Sequence, residues 1–218
     1  MTDFAAARFF MVEGQIRPNK VTDHRLVDAL SETPREAFVP ESARGVAYVD
    51  DDLPIGNGRY LLEPMVFARM LQHLGVQATD RVLDVGCAGG YSTAILAKLA
   101  ASVVGLDSDA ALTAGAAAAL AAQGITNATV VTGPLAAGHA EGGPYDVIVV
   151  EGTIPELPTA LGDQLAEEGR LVAIVHDARG VGEVRLFQRV AGVLSSRVLF
   201  EAQPHALPGF EKKASFVF

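Results

Sequence analysis

Val82-Leu83-Asp84-Val85-Gly86-Cys87-Ala88-Gly89-Gly90-Tyr91 reads as a short apolar strand that runs straight into small residues, with a helix following from Ser92 to Leu99. Small residues at such a joint permit tight turns and let another group come close to the backbone. The helix that follows offers N–H groups with no partner inside the helix, which suit an anion. A second apolar run, Val103-Val104-Gly105-Leu106, ends in Asp107, 21 positions beyond Gly86. An acid at that offset suits a ribose diol.

Two cofactor classes use a joint of this kind. The dinucleotide fingerprint places Gly at its first, third and sixth positions. Those positions are Gly86, Ala88 and Tyr91 here, so the pattern fits once in three. The S-adenosylmethionine pattern, acid-x-Gly-x-Gly-x-Gly, reads Asp84, Gly86, Ala88 and Gly90, with one small departure. S-adenosylmethionine is therefore the expected cofactor. A glycine-rich turn without a ligand stays open on the motif alone.

Outward from the joint, strands and helices alternate. Toward the amino terminus, Phe4 to Gln15 reads as a helix anchored by Phe9, Phe10 and Met11, broken by Arg17-Pro18-Asn19. Thr22 is placed to cap a second helix carrying Leu26, Val27 and Leu30 on one face. Ala47 to Gly58 reads as a loop rather than an element, its three consecutive acids Asp50, Asp51 and Asp52 solvated. Pro64 opens a helix with a buried stripe from Val66 to Leu74, and Gly75 ends it. Toward the carboxyl terminus, Ser102 to Asp107 is a strand and Asp109 caps an alanine-rich helix through Gln123. Ala128 to Thr132 is a strand, and Gly133 to Gly143 a loose loop. Tyr145 to Val150 is apolar throughout, as a strand covered on both faces should be. Glu151-Gly152-Thr153 then lies on the rim where open α/β sheets bind ligands. Leu157 to Leu165 reads as helical. Arg170 to Val175, Val184 to Val190 and Arg197 to Glu201 read as strands, and Ser215 to Phe218 as an edge strand. The alternation predicts an α/β fold, a doubly wound, mostly parallel sheet with antiparallel strands at the carboxyl-terminal end and a helical amino-terminal cover.

The totals agree with one domain over residues 1–218, divided into a substrate-side segment, 1–76, and a cofactor-binding core, 77–218. Half the residues are hydrophobic, enough for a sizeable core. A formal charge of −9 with no basic run argues against a nucleic-acid partner. Cys87 is the single cysteine, which excludes an internal disulfide and suits a reducing cytoplasm. No signal peptide and no membrane-spanning run is read, and no histidine spacing suits a metal.

Other stretches carry a resemblance. They are Met11-Val12-Glu13-Gly14-Gln15-Ile16-Arg17, Thr33-Pro34-Arg35-Glu36-Ala37-Phe38-Val39-Pro40, and Ala47-Tyr48 through Leu53-Pro54-Ile55-Gly56-Asn57-Gly58. Pro144 to Val150 and Gln164-Leu165 through Gly169-Arg170-Leu171-Val172 add to them. With the joint, these make the chain resemble the protein-L-isoaspartate O-methyltransferase family from about Met11 to Val190. The resemblance implies a Rossmann-type, S-adenosylmethionine-dependent methyltransferase fold. It also implies methyl transfer to the free α-carboxylate of isoaspartyl residues in damaged protein or peptide. A cytoplasmic, monomeric repair enzyme is the expected setting.

The resemblance assigns residues. Asp84, Gly86, Cys87, Ala88 and Gly90 would shape the cofactor pocket. Asp107, with Ser108 beside it, would hold the ribose, and Pro134 and Leu135 would flank adenine. Ile55, Gly56, Gly58 and Leu62 would face the substrate. Departures cluster here. Where the family reads Gln-Thr-Ile-Ser-Gln-Pro, this chain has Arg59-Tyr60-Leu61-Leu62-Glu63-Pro64. The family's site hydroxyl is thus lost at Leu62. Its Gly-Asp-Gly, whose acid lies against adenine, is Gly133-Pro134-Leu135 here. A carboxylate nucleophile is ionised at neutral pH and needs no general base, so no catalytic residue is assigned. Arg59 and Glu63 are the charged candidates: Arg59 as a carboxylate ligand or a partner of Glu63, Glu63 as a site anion or a helix-end carboxylate. An anionic Glu63 in the site would favour a cationic or neutral acceptor, such as an amine, over a carboxylate, and Ala88 and Pro134 keep open a non-catalytic module of the same fold.

Overall fold

The computed structural model describes residues 3–176 and 179–211. The cover begins with α1 (Phe4–Met11), capped by the Asp3 carboxylate, which accepts the Ala6 N–H. The chain does not continue as one helix to Gln15. It widens into a π-helical turn, Val12–Ile16, and tightens into a 3₁₀ turn at Arg17–Asn19. Met11, Val12 and Ile16 are buried, whereas Phe9 and Phe10 lie on the far side, 59% and 68% exposed. Helix α2 (His24–Glu32) is capped by Asp23 rather than Thr22. The Asp23 carboxylate accepts from the N–H groups of Arg25 and Leu26, while the Thr22 N–H goes to the Gln72 side chain.

The stretch expected to be a loop holds an antiparallel hairpin, β1 (Leu53–Gly56) and β2 (Arg59–Leu61). Its alternation is only a few residues long and is interrupted by Pro54, so period-two patterning is weak there. Its turn, Gly56-Asn57-Gly58, has positive φ at all three residues. Helix α3 (Pro64–Leu74) follows, with Pro64 in its first turn and Gly75 as a left-handed cap.

The main sheet contains β3 (Arg81–Val85), β4 (Ser102–Asp107), β5 (Ala128–Thr132), β6 (Tyr145–Ile154), β7 (Leu165–His176), β8 (Gly182–Val190) and β9 (Val193–Glu201), in the order β5-β4-β3-β6-β7-β8-β9. Pairing is parallel from β5 to β7 and antiparallel from β7 to β9. Helices α4 (Tyr91–Leu99), α5 (Ala110–Ala122) and the short α6 (Thr159–Asp163) connect the strands. Neighbouring residues of the parallel strands point to opposite faces. Val82, Val147, Val149 and Val172 join a core with the cover, and Leu83, Val85, Ile148, Val150 and Leu171 join a second core.

Other differences from the sequence reading have local causes. Strand β6 runs on through Glu151-Gly152-Thr153, because its end pairs with β7 on one side and with residues 205–207 on the other. Thr153 donates to the His205 carbonyl at 3.1 Å, and the Leu207 N–H donates to the Thr153 carbonyl at 2.9 Å. The expected helix from Leu157 to Leu165 shortens to α6, since Leu165 already pairs with Tyr145. The 133–143 segment is tied down by the Gln164 side chain, which donates to the carbonyls of Ala137 and Ala160 and accepts the His139 N–H. The edge strand expected at Ser215 to Phe218 lies outside the described residues. Among the described residues, no helix is long and apolar enough to cross a membrane.

Candidate functional site

Strand β4 lies on one side of β3 and β6 on the other, so the chain switches direction at β3 and leaves a crevice at the carboxyl ends of all three. The joint from Asp84 to Gly90 forms one wall. The N–H groups of Gly86 and Cys87 donate to the Leu106 carbonyl, which holds the turn against β4. Gly86, Ala88 and Gly90 all take positive φ, at 87°, 49° and 89°. Gly89 answers to packing: a Cβ there would lie 2.2 Å from the Phe38 carbonyl oxygen of the cover. Cys87 is buried beneath the loop near Gly105, and burial pushes its thiol well up.

The acids sit deeper than a surface motif would. Asp84 is fully buried, and one carboxylate oxygen accepts from the hydroxyls of Ser92 at 2.7 Å and Thr93 at 2.6 Å. Its other oxygen is buried with no partner. Burial raises its pKa, with the Asp107 charge adding, while the two hydroxyls oppose the rise. Asp107 is likewise fully buried at the end of β4. Its Oδ2 accepts the Ala88 N–H at 2.9 Å and its Oδ1 the Asp109 N–H at 3.1 Å. Glu151, on β6, is buried with one unpartnered oxygen, and burial raises its pKa well above the usual range.

The hairpin and the carboxyl-terminal strap close over this crevice. Arg59 is 3% exposed and places Nη2 2.9 Å from Asp107 Oδ2 and 3.0 Å from the Gly86 carbonyl oxygen. Leu207, on the strap, covers Gly86 and Gly152. His205 stacks on Tyr60, ring centres 3.6 Å apart, and both its N–H and its ring Nδ1 meet Asp52 Oδ2. Arg59, Leu62, Glu151, His205 and Leu207 line a residual cavity of only about 10 Å³.

Each expected site residue therefore has a definite place. Asp84, Gly86, Ala88, Asp107, Arg59 and Leu62 gather around the crevice. Leu62 is buried, and its carbonyl accepts Arg35 Nη2 at 2.6 Å. Gly90 is the left-handed cap of α4 and packs on Ala116 of α5. Ser108 and Pro134 are exposed, and Leu135 is buried in the second core. Ile55 is buried, while Gly56 and Gly58 are exposed on the hairpin turn. Glu63 is the residue before α3, with no side-chain bond to that helix. Burial and the charges of Asp50, Asp52 and Asp51 raise its pKa to about 7. Asp52 and Tyr60 have no site role in the sequence reading and are brought together by the hairpin, and His205 and Leu207, which carry no motif, join them only through the strap's return to β6. Among the described residues, no group of His, Cys, Asp and Glu is arranged to hold a metal.

Known proteins match this chain along most of its length. The family model for protein-L-isoaspartate(D-aspartate) O-methyltransferase matches residues 10–201. Protein-L-isoaspartate O-methyltransferase 1 of Rhodopseudomonas palustris (strain HaA2) is 44% identical over 171 residues, covering 78% of this chain and 70% of that one. The protein-L-isoaspartate O-methyltransferase of Methanoculleus marisnigri is 41% identical, covering 82% of this chain and 81% of that one. A solved protein-L-isoaspartate O-methyltransferase superposes with a TM-score of 0.81 at 24% identity, covering 93% of this chain and 67% of that one. One from Plasmodium falciparum, solved with S-adenosyl-L-homocysteine, superposes with a TM-score of 0.80 at 20% identity, covering 96% and 100%. The two structures match the fold; the family model and the two relatives match the sequence. The chain belongs to the protein-L-isoaspartate O-methyltransferase family.

Proposed function

We propose that this protein is an S-adenosylmethionine-dependent methyltransferase that acts on the free α-carboxylate of isoaspartyl residues in damaged protein. The observation that carries this reading is the pairing of the Asp84–Gly90 joint with Asp107 at the sheet's switch point, in a chain of this family. The donor set suits the cofactor. Asp84 Oδ1 is a buried acceptor without a partner, and an amino-acid ammonium supplies the donor it lacks. Asp84, Gly86, Cys87, Ala88 and Gly90 are assigned to the amino-acid and ribose end, Asp107 and Ser108 to the diol, and Pro134 and Leu135 to the adenine side. When bound, the cofactor supplies an electrophilic sulfonium methyl.

The chain's own work is alignment and exclusion of water. The exposed turn Gly56-Asn57-Gly58 offers backbone groups to an extended peptide, next to buried Ile55 and Leu62. Leu62 brings no hydroxyl to the site, so it contributes an apolar wall. An isoaspartyl carboxylate is already ionised at pH 7 and needs no proton removed. Glu63, with its pKa raised to about 7, carries only part of a negative charge there, which lessens its repulsion of a carboxylate.

The remaining assignments belong to the same reading. Residues 1–218 act as one domain, with 1–76 on the substrate side and 77–218 holding the cofactor. The enzyme works as a cytoplasmic monomer without nucleic-acid or membrane partners, supported by its net charge of −9 and its single buried cysteine. The test is methyl transfer from labelled S-adenosylmethionine to an isoaspartyl peptide, with the matching aspartyl peptide as control. Transfer to the isoaspartyl peptide alone is expected. Transfer to neither, alongside clear cofactor binding, would reject the acceptor.

A further inference from the structure

The ribose seat assigned above to Asp107 is filled by the protein itself. Both oxygens of Asp107 are engaged, Oδ1 by the Asp109 N–H and Oδ2 by the Ala88 N–H and the Arg59 guanidinium. A Cβ built on Gly86 would meet Leu207 Cδ1 at 2.9 Å and Arg59 Nη2 at 3.2 Å. The space that the small residues of the joint leave free is therefore occupied by Arg59 and Leu207. The cavity left beside them, about 10 Å³, holds at most one water.

We infer that Arg59 is an internal competitor for the cofactor: its guanidinium holds the Asp107 seat, and the cofactor's diol enters only when that ion pair opens. This rests on the cofactor reading above. A second partner for the displaced guanidinium is already in place. Arg59 Nη1 and Glu151 Oε1 are both buried without partners, and both residues line the same small cavity. Arg59 thus has two acidic side chains within one cleft, Asp107 in the closed arrangement and Glu151 in the open one. A buried charge that loses one partner and gains another avoids the large cost of standing unpaired. The closed arrangement lowers cofactor affinity by the fraction of molecules that hold it.

The chemistry of the competition separates it from simple charge repulsion. Arg59 is a cation, and S-adenosylmethionine carries a sulfonium. Removing Arg59 would favour that cofactor through charge alone. S-adenosylhomocysteine lacks the sulfonium but keeps the ribose diol, so it reports occupancy of the seat.

The experiment is calorimetric titration of wild-type protein, Arg59→Gln and Arg59→Ala with S-adenosylhomocysteine and, separately, with S-adenosylmethionine. The expected result is at least about tenfold tighter binding of S-adenosylhomocysteine by both variants. Equal or weaker binding by the variants overturns the inference, and if wild type binds well it leaves the cofactor reading standing. A gain for S-adenosylmethionine alone also overturns it, since repulsion then explains the effect. No binding of either ligand by any of the three proteins overturns the inference and the cofactor reading together. Tighter binding by the variants without isoaspartyl methylation upholds the inference and removes only the acceptor. If neither variant folds, the Arg59 guanidinium ¹⁵N resonance of wild-type protein decides. A shift on saturation with S-adenosylhomocysteine supports displacement, and an unmoved resonance, or failure to saturate, overturns it.

Discussion

Glu63 stands at the start of α3 with its carboxyl partly buried and Asp50, Asp51 and Asp52 around it. Its pKa is about 7 in the folded protein, against an ordinary value of 4.5. Between those values the unfolded chain releases the proton while the folded chain keeps it. Glu63 therefore contributes most to stability below about pH 4.5, and that contribution is lost as the pH rises toward 7. Above pH 7 the ionised carboxylate is a net cost. Glu63→Gln removes the cost and should raise the Tm at pH 8 by about 2–4 °C, after allowance for solvent screening at a partly exposed site. The two proteins should melt within about 1 °C of each other at pH 4. A difference that is the same at both pH values would reject the assignment. Sequence places Glu63 at a helix start, where a carboxylate is ordinarily favoured. It does not show that the acidic loop folds back on it, because that requires the Asp52 side chain to accept the Glu63 N–H. For the same reason Arg59 is legible only as a charged departure from the family pattern. Its partner Asp107 lies 48 positions away, on a strand whose neighbours the sequence only implies.

At the scale of elements, the joint itself shows which small residues serve the turn and which serve packing. Ala88 already holds a left-handed φ of 49°, where an L-residue is strained and glycine is not. Ala88→Gly relieves that strain but frees the unfolded chain and removes a buried methyl, so the terms oppose each other. Its stability should change by less than about 1 kcal/mol. Gly89→Ala differs, because its methyl would sit 2.2 Å from the Phe38 carbonyl oxygen, and backbone must move to admit it. That variant should lose about 2–3 kcal/mol. Urea unfolding of the two proteins checks the contrast, and equal midpoints would show that the cover does not rest on Gly89. The core elements were legible because each carries a strong local signal: the apolar runs of β3, β4 and β6, the Asp109 cap of α5, and Gly75 after α3. The β1–β2 hairpin was not, since it is short and interrupted by Pro54. Nor was the true inner face of the first helix. Three adjacent apolar residues, Phe9, Phe10 and Met11, do not reveal which of them turns inward, and only Met11 does.

Over the whole molecule, the crevice is closed by pieces that are remote in sequence. The hairpin brings Arg59 and Tyr60, β4 brings Asp107, and the strap at 202–207 brings His205 and Leu207. Asp52 ties the two covering pieces together across 153 positions through its contacts with His205. No local pattern announces such a closure, because the strap has neither strand alternation nor helical period. Its place is fixed by two backbone bonds to Thr153, the Thr153 hydroxyl donating to the Pro204 carbonyl, and burial of Leu207 and Phe210. If the closed cleft is a packed part of the fold, Leu207 should behave as a core residue although it lies eleven positions from the chain's end. Leu207→Ala keeps the Thr153 bonds and the Cβ that faces Gly152, and removes the methyls that cover Gly86. The cost should be about 2–4 kcal/mol, read as a lower urea midpoint with an unchanged m-value. A loss of only a few tenths of a kcal/mol would mean that the strap lies on the cleft without filling it. Arg59, bonded to the Gly86 carbonyl and to Asp107, would then be what closes the seat over Gly86.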